Sequence, residues 1–385
     1  MTGPNLFVLS DGVRGHLSQT RGIALAIGAL HGQIDARELP VPTLSGKQRF
    51  SCLKVASRVL PKATQKEAEN WLREAQGSGL LEQVRTVTAE SETPPLFLSA
   101  GSGAAPYCLA LSKALAGKSC VVMTPSALGT EPFDMAIVPR HDSARGDNVF
   151  VTLGAPNLIN KEDLVKQAQT LLLSSPLSRQ RAWGVLVGGD DRNYQVTPRW
   201  AEKFFPQLFD AARRADVDLY VTTSRRTSEL AESAIKDQCE AEPRVRMLLL
   251  ASADERNPVP GMLGFCDKMF CTEDSVSMIS ECVTAGVPLA VVPVEHRHGP
   301  GSVLQRFAEM LSCIGLYPTE KLWGAPRFRR MIDDFAAQGF LRVLYPEEIC
   351  GQTLADESLR PAGGVDFNEA KKAAAWVLSR WLPSA

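Results

Sequence analysis

The chain has 385 residues, 44% of them hydrophobic and 22% charged, with 42 Lys and Arg against 43 Asp and Glu for a formal net charge of -1. That length exceeds one ordinary core and fits two domains of roughly 150–200 residues each, and the charge balance argues against nucleic acid as a partner. No apolar run approaches the ~20 residues that cross a bilayer, and no basic region with a long apolar stretch opens the chain; the expected location is the cytoplasm, with peripheral contact to an inner membrane left open.

The first strand-like run is "NLFVLS" (5–10), followed at once by "DGVRGHLSQT" (11–20). Gly12 and Gly15 could simply turn the chain there, with Asp11, Arg14 and His16 solvated. The alternative is that this turn lies at the carboxyl edge of a parallel sheet, where α/β proteins hold their ligands. Between Val41 and Lys66 come six basic residues (Lys47, Arg49, Lys54, Arg58, Lys62, Lys66) and no acid, with Phe50, Leu53, Ser57 and Leu60 at roughly helical spacing. Either this helix turns its apolar side to the core, or it is a basic amphipathic surface for anionic lipid headgroups.

Further apolar runs follow: "LFLSA" (96–100), "CVVMT" (120–124), "MAIVP" (135–139) and "VFVTL" (149–153). A polar stretch, "LLSSPLSRQRA" (172–182), separates them from a second series: "WGVLVGG" (183–189), "VDLYVTT" (217–223), "VRMLLL" (245–250), "KMFCT" (268–272) and "PLAVVPV" (288–294). Runs apolar on both faces, alternating with helical stretches, predict a parallel sheet covered on both sides. Two series predict an α/β chain of two Rossmann-like domains, 1–176 and 177–365. The stretch 366–385 predicts a helix with Ala374, Val377, Leu378 and Trp381 as its apolar stripe, placed to pack back on the first domain. Nine cysteines are scattered without a CxxC pair, and Cys266 and Cys271 lack ligand spacing, so they read as buried thiols of a reducing compartment rather than zinc or redox ligands.

Three loops of the second series carry groups suited to a ligand. In "VGGDDRNY" (187–194), Gly188 and Gly189 would let backbone N–H groups approach a phosphate, although a plain turn explains them equally. In "TTSRRTSEL" (222–230), Ser224 and Arg225 stand at a strand end that opens a helix; a phosphate site and a capped helix with solvated arginines both fit. In "CTEDSVSMISECVTAGVPLAVVPV" (271–294), Asp274 or Ser275 can cap a helix whose first turn holds Ser275 and Ser277. Glu281, four residues after Ser277, shares its face one turn further on, where a diphosphate at the helix start would bring a ribose. Capping accounts for the serines but not for Glu281.

In order and spacing, "SDGVRGHLSQ", "IVPRHD" (137–142), "VGG", "VTTSRRT" (221–227) and "TEDSVSMISE" (272–281) resemble the mitochondrial-fission, elongated-mitochondria-type family, which also has bacterial members. The resemblance covers nearly the whole chain. It implies a GT-B glycosyltransferase-like fold with parallel sheets facing across a cleft, a nucleotide-sugar donor on the second domain, an acceptor on the first, and no catalytic metal or other cofactor. On that reading Gly188, Gly189, Ser224, Arg225, Ser275, Ser277 and Glu281 hold the donor. "DGVRGH" is similar to the "GGTGGH" loop of lipid-linked peptidoglycan glycosyltransferases, which makes His16 or Asp11 the base, with Gly12 and Arg14 on the acceptor side. The sequence departs from that loop at Asp11 and Arg14, and Asp190 and Asp191 beside a diphosphate must point away or face a cation.

The expected activity is transfer of a sugar to an envelope glycoconjugate or lipid-linked acceptor. A nucleotide-sugar epimerase is the alternative, with Asp11, His16, Glu295, His296 and His298 as its acid/base set. A third reading is a non-catalytic adaptor that keeps the fold. The pair His296 and His298 could hold a divalent ion with Glu295, but alternate residues of a loop more often meet solvent or ligand.

Overall fold

The computed structural model describes residues 3–142, 144–297, 299–317, 325–349 and 367–382. It divides into two units, Met1–Leu158 with Asn368–Ala385, and Ile159–Phe367.

The elements of unit 1 are β1 (Asn5–Ser10), α1 (Arg14–His31), β2 (Asp35–Pro40), α2 (Gly46–Val59), α3 (Gln65–Glu74), α4 (Ser78–Thr88), β3 (Leu96–Ala100), α5 (Gly101–Ala114), β4 (Lys118–Val122), β5 (Met135–Pro139) and β6 (Val149–Thr152), with the terminal helix Glu369–Trp381. The six strands run parallel in the order β2-β1-β3-β4-β5-β6, with Leu6 opposite Leu96 and Asn5 opposite Asp35. Successive side chains of β1 point to opposite faces. Leu6 and Val8 join a core with Ile23 and Ile27 of α1 and Ala373, Val377 and Trp381 of the terminal helix. Phe7 and Leu9 join a second core with Trp71, Leu72, Tyr107 and Leu111 of α3 and α5. Burial on both faces is why β1, β3 and β5 read as unbroken apolar runs. The edge strand β2, "DARELP", buries only Leu39, so no apolar run announces it. Trp381 also donates its indole N–H to Pro94 O (2.8 Å), and Glu369 Oε2 accepts the Leu153 N–H (2.8 Å).

Unit 2 contains α6 (Lys161–Ser174), β7 (Ala182–Leu186), β8 (Tyr194–Gln195), α7 (Pro198–Ala215), β9 (Asp218–Thr222), α8 (Glu229–Glu240), β10 (Val245–Leu249), α9 (Val259–Leu263), β11 (Lys268–Thr272), α10 (Val276–Ala285), β12 (Leu289–Val292), β13 (Glu295–His296), α11 (Pro300–Cys313), α12 (Ala325–Ala337) and β14 (Arg342–Val343). Its main sheet is parallel in the order β10-β9-β7-β11-β12-β14, and β8 pairs antiparallel with β13. Trp183, Val185 and Val187 pack on Phe204, Phe205 and Leu208 of α7.

The division between units falls one helix earlier than 176/177. α6 belongs to unit 2, because Gly261 and Gly264 bring α9 against it: a Cβ on Gly264 would lie 2.3 Å from Leu164 O. The boundary expected at 365/366 lies outside the described residues. Eight cysteines are described, all free; Cys52 is partly exposed, Cys313 exposed, and the other six buried.

Candidate functional site

In a parallel sheet, the carboxyl ends of the two strands between which the order reverses form a natural crevice. In unit 1 these strands are β1 and β3. Asp11, directly after β1, accepts the Val13 N–H through Oδ1 (3.2 Å) and lies 3.1 and 3.0 Å from His16 Nδ1 through its two oxygens. A carboxylate can only accept, so Nδ1 carries the proton, and in the neutral ring Nε2 keeps its lone pair. The two side chains are 10% and 27% exposed, Asp11 and His16 respectively, so the pair is sheltered but reachable.

Gly101 and Gly103, at the start of α5 after β3, make room for this pair. A Cβ on Gly101 would lie 2.3 Å from His16 Cε1, and one on Gly103 would lie 2.7 Å from Asp11 Oδ2. Sequence reasoning missed these two glycines; a Gly-Ser-Gly directly after the run "LFLSA" was the available signal. Gly12 sits at φ 78° and donates its N–H to Ser10 Oγ (3.2 Å). Arg14 is exposed at the first position of α1, with no partner among the described residues.

α2 takes an orientation that neither sequence alternative describes fully. Ala56 and, just beyond the helix, Leu60 are the buried contacts, whereas Phe50 is 71% exposed and Val55 and Val59 also face solvent. Among the described residues none of the six basic side chains from Lys47 to Lys66 is in an ion pair. The segment is an exposed basic and apolar face.

In unit 2 the order reverses between β7 and β11. Gly188 N–H donates to Thr272 Oγ1 (2.7 Å) and Gly189 N–H to Asp274 Oδ2 (2.8 Å). A Cβ on Gly188 would lie 2.1 Å from Asp274 Oδ2, and one on Gly189 would lie 2.1 Å from the Arg226 carbonyl carbon. Close packing of three loops therefore requires these glycines, and their N–H groups point into protein. Asp274 also accepts from Arg226 Nη2 (2.8 Å), while its Oδ1 is buried with no hydrogen-bond partner among the described residues. Ser224 Oγ accepts the Arg226 N–H (3.2 Å). Arg225 turns outward, 3.5 Å from the exposed Glu255. Of the adjacent arginines, Arg226 is the one that joins the framework.

The two awkward acids are also resolved. Asp191 Oδ1 accepts the N–H groups of Asn193 (2.6 Å) and Tyr194 (2.8 Å), and Asp190 pairs with Arg297 (2.8 Å). One points into its own turn; the other faces a cation.

The start of α10 is open. Ser275 occupies the N-cap position but its side chain caps nothing, and Asp274 is engaged elsewhere. The hydroxyls of Ser275 and Ser277 have no partner among the described residues. The first-turn N–H groups of such a helix attract an anion. Glu281, on the Ser277 face, likewise has no hydrogen bond or ion pair among the described residues; surrounding protein pushes its carboxyl up to about 7 while part of the residue still meets solvent.

Glu273 was not anticipated. It is buried, Oε1 accepts the Val294 N–H (2.8 Å), and His296 Nε2 lies 3.8 Å away. Burial, with the neighbouring Asp274 charge, pushes its carboxyl up to about 7 against the opposing pull of the Val294 N–H and Arg329. The His296 ring lies edge-on to Tyr194, with centroids 5.1 Å apart. Glu295 lies on β13, partly exposed, and His298 lies outside the described residues. Among the described residues no group of three or more His, Cys, Asp or Glu side chains comes together to hold a metal ion.

A family model, mitochondrial fission ELM1, matches residues 14–381. The chain belongs to the mitochondrial fission ELM1 family. Within reach of ordinary sequence comparison, it is 27% identical over 107 residues to the uncharacterized protein RP120 of Rickettsia prowazekii (strain Madrid E), a match that spans 28% of this chain and only 30% of that relative. Solved structures extend the likeness to full length. The UDP-GlcNAc 2-epimerase of Methanocaldococcus jannaschii is 11% identical, with 97% of this chain and 99% of that one covered at a TM-score of 0.57. The UDP-GlcNAc 2-epimerase of Neisseria meningitidis, bound to UDP-GlcNAc, is 11% identical, with 99% and 100% covered at a TM-score of 0.52. At that identity the likeness concerns the fold, and the fold of this ELM1-family chain is of the GT-B type: α/β, with two Rossmann-like units.

Proposed function

We propose that this ELM1-family chain is a glycosyltransferase that moves a sugar from a nucleotide-sugar donor to an envelope glycoconjugate or lipid-linked acceptor, without a catalytic metal or cofactor. The observation that carries the reading is the Asp11–His16 pair: a carboxylate fixes Nδ1, and Nε2 is left to take a proton at the carboxyl edge of a parallel sheet. A donor-binding role for unit 2 is supported by the uncapped start of α10, the unpartnered Ser275 and Ser277 hydroxyls, and Glu281 one turn on. UDP-GlcNAc bound to the Neisseria meningitidis enzyme of similar fold is consistent with it.

In the proposed step His16 removes the acceptor hydroxyl proton as the oxygen attacks the sugar carbon, and the bond to the nucleoside diphosphate breaks. Asp11 stabilises the imidazolium that forms. The N–H groups at the start of α10 stabilise the charge on the departing diphosphate, and Glu281 accepts from a ribose hydroxyl. Gly188, Gly189 and Ser224 act by holding the loops beside the start of α10, and Arg225, exposed and 3.5 Å from the exposed Glu255, is the arginine that would exchange that partner for a phosphate.

A second reading, nucleotide-sugar 2-epimerisation, is favoured by Glu273, whose buried carboxyl is pushed up to about 7, with the His296 imidazole 3.8 Å from it. The two readings separate on one assay. Transfer releases free nucleotide diphosphate only when an acceptor is present, whereas epimerisation interconverts sugars with no acceptor. Against a panel of UDP-, GDP-, CMP- and ADP-sugars with membrane extract as acceptor source, Asp11→Asn is expected to slow turnover by roughly 10²–10⁴-fold with little change in donor affinity. Unchanged turnover in Asp11→Asn would remove the pair from the mechanism.

A further inference from the structure

Unit 1 holds a pocket of about 90 Å³ beside Asp11, walled by Val41, Leu44, Leu53, Trp71 and Tyr107, with Arg49 and Cys52 also on its lining. The Tyr107 hydroxyl is spent on Ala75 O (2.7 Å), and its ring meets Trp71 edge-on at 5.2 Å, so these residues offer ring surface rather than hydroxyl. The polar groups on the wall are few: Asp11, Thr43, and Arg49, whose guanidinium has no partner among the described residues. An apolar floor with one unpaired cation and one acid of a proton-accepting pair is the pattern of a ligand subsite rather than of a packing defect.

We infer that this pocket takes the apolar end nearest the head of an anionic, phosphate-bearing amphiphile, with Arg49 on its charge and its hydroxyl-bearing part directed to Asp11 and His16. The inference rests on the transferase reading and names the class of its acceptor. Volume limits the occupant: the space holds only a few waters' worth of material, so it admits only a short branched or aliphatic unit. The rest of the chain must stay outside the protein. α2, which supplies Arg49, Cys52 and Leu53 to the pocket, exposes Phe50, Val55 and Val59 among basic residues on its other faces. Such a face suits an anionic bilayer from which the remainder of the chain would emerge.

Cys52 is the reporter, since it lines the pocket and is partly exposed, while Cys313 is exposed in unit 2 and serves as the internal control. Its thiol is pushed up by burial and by the Glu74 charge, so alkylation with N-ethylmaleimide is followed at mildly alkaline pH by peptide mass spectrometry on the full chain. Decyl phosphate is expected to slow labelling of Cys52 but not of Cys313, with decanol or inorganic phosphate at the same concentration doing little. Arg49→Gln, a change at an exposed position, should weaken decyl phosphate roughly tenfold, the scale of one charge-assisted hydrogen bond. Labelling of Cys52 that is indifferent to decyl phosphate, equal protection by decanol or by phosphate alone, or unaltered affinity in Arg49→Gln would each overturn the inference. Titration of the same wild-type sample with nucleotide sugars keeps the two ideas apart. Donor binding without Cys52 protection sinks only the pocket, whereas protection without donor binding sinks only the transferase.

Discussion

Arg225 and Arg226 stand side by side at the end of β9, and nothing local distinguishes them. Which one turns inward is decided by Asp274, distant in sequence, whose carboxylate holds Arg226 and the Gly189 N–H together. The same long-range partner explains why a Gly-Gly pair that reads as a phosphate loop is needed for close packing; likewise Gly101 and Gly103 look ordinary until β3 lies beside β1 and brings them against His16 and Asp11. Glu281 was legible because helix capping gave no reason for an acid there. Its environment makes a testable pH signature. An exposed glutamate titrates near 4.3, whereas Glu281 in the folded chain is pushed up to about 7. Between those values the folded state binds more protons at this site than the unfolded state, so the site's contribution to stability falls as pH rises towards 7 and stays at its low level above it. Glu281→Gln, always neutral, should therefore melt several degrees above wild type at pH 8 and nearly level with it at pH 4. It should also weaken nucleotide-sugar binding, because it replaces a charged acceptor with a neutral one. Equal melting temperatures at pH 8 would mean that Glu281 is not desolvated in solution.

At the scale of elements, the strands buried on both faces were legible and the edges were not. β1, β3 and β7 show as apolar runs because helices cover both sides; β2 exposes all but Leu39 on its strongest positions, and β14 is two residues long. α2 was legible as a helix, but not in its rotation: the small Ala56 meets the core and the large Phe50 meets solvent, opposite to the order of their hydrophobicity. On the transferase proposal, that rotation bears on how an acceptor would be delivered. Six unpaired basic residues lie within 41–66 and no acid offsets them inside the segment. Each Lys or Arg near an anionic leaflet contributes about 1 kcal/mol, and exposed Phe50 adds apolar insertion. The protein is therefore expected to co-sediment with vesicles containing phosphatidylserine or phosphatidylglycerol and not with neutral ones. Binding should weaken strongly between about 0.1 M and 1 M salt, as the Debye length falls from ~10 to ~3 Å. Lys47→Glu/Lys54→Glu/Arg58→Glu should abolish it while leaving donor binding intact. Wild-type protein that stays in the supernatant with anionic vesicles at low salt would point to an acceptor free in solution.

For the whole molecule, two series of apolar runs were enough to read two Rossmann-like units, because each sheet needs its own covered core. The seam was harder to place. The polar stretch 172–182 looks like a linker, yet α6 before it is tied to unit 2 by the close approach of Gly261 and Gly264, and the chain returns to unit 1 for its last helix. That return has an energetic consequence. Ala373, Ala374, Val377 and Trp381 fill the face of the unit 1 sheet formed by Leu6, Val8, Leu96 and Leu98. Removing a buried Trp side chain costs about 3–5 kcal/mol, and here the indole also donates to Pro94 O at 2.8 Å. Trp381→Ala should accordingly lower the stability of unit 1 alone. Differential scanning calorimetry is expected to resolve two transitions, one moved down by Trp381→Ala and the other moved up by a bound nucleotide sugar, since a ligand that binds only a folded unit stabilises that unit. A nucleotide sugar that raises the same transition that Trp381→Ala lowers would place the donor on unit 1 and reverse the assignment of roles. Two transitions that respond oppositely would instead tie the terminal helix to the acceptor unit and α10 to the donor unit in one experiment.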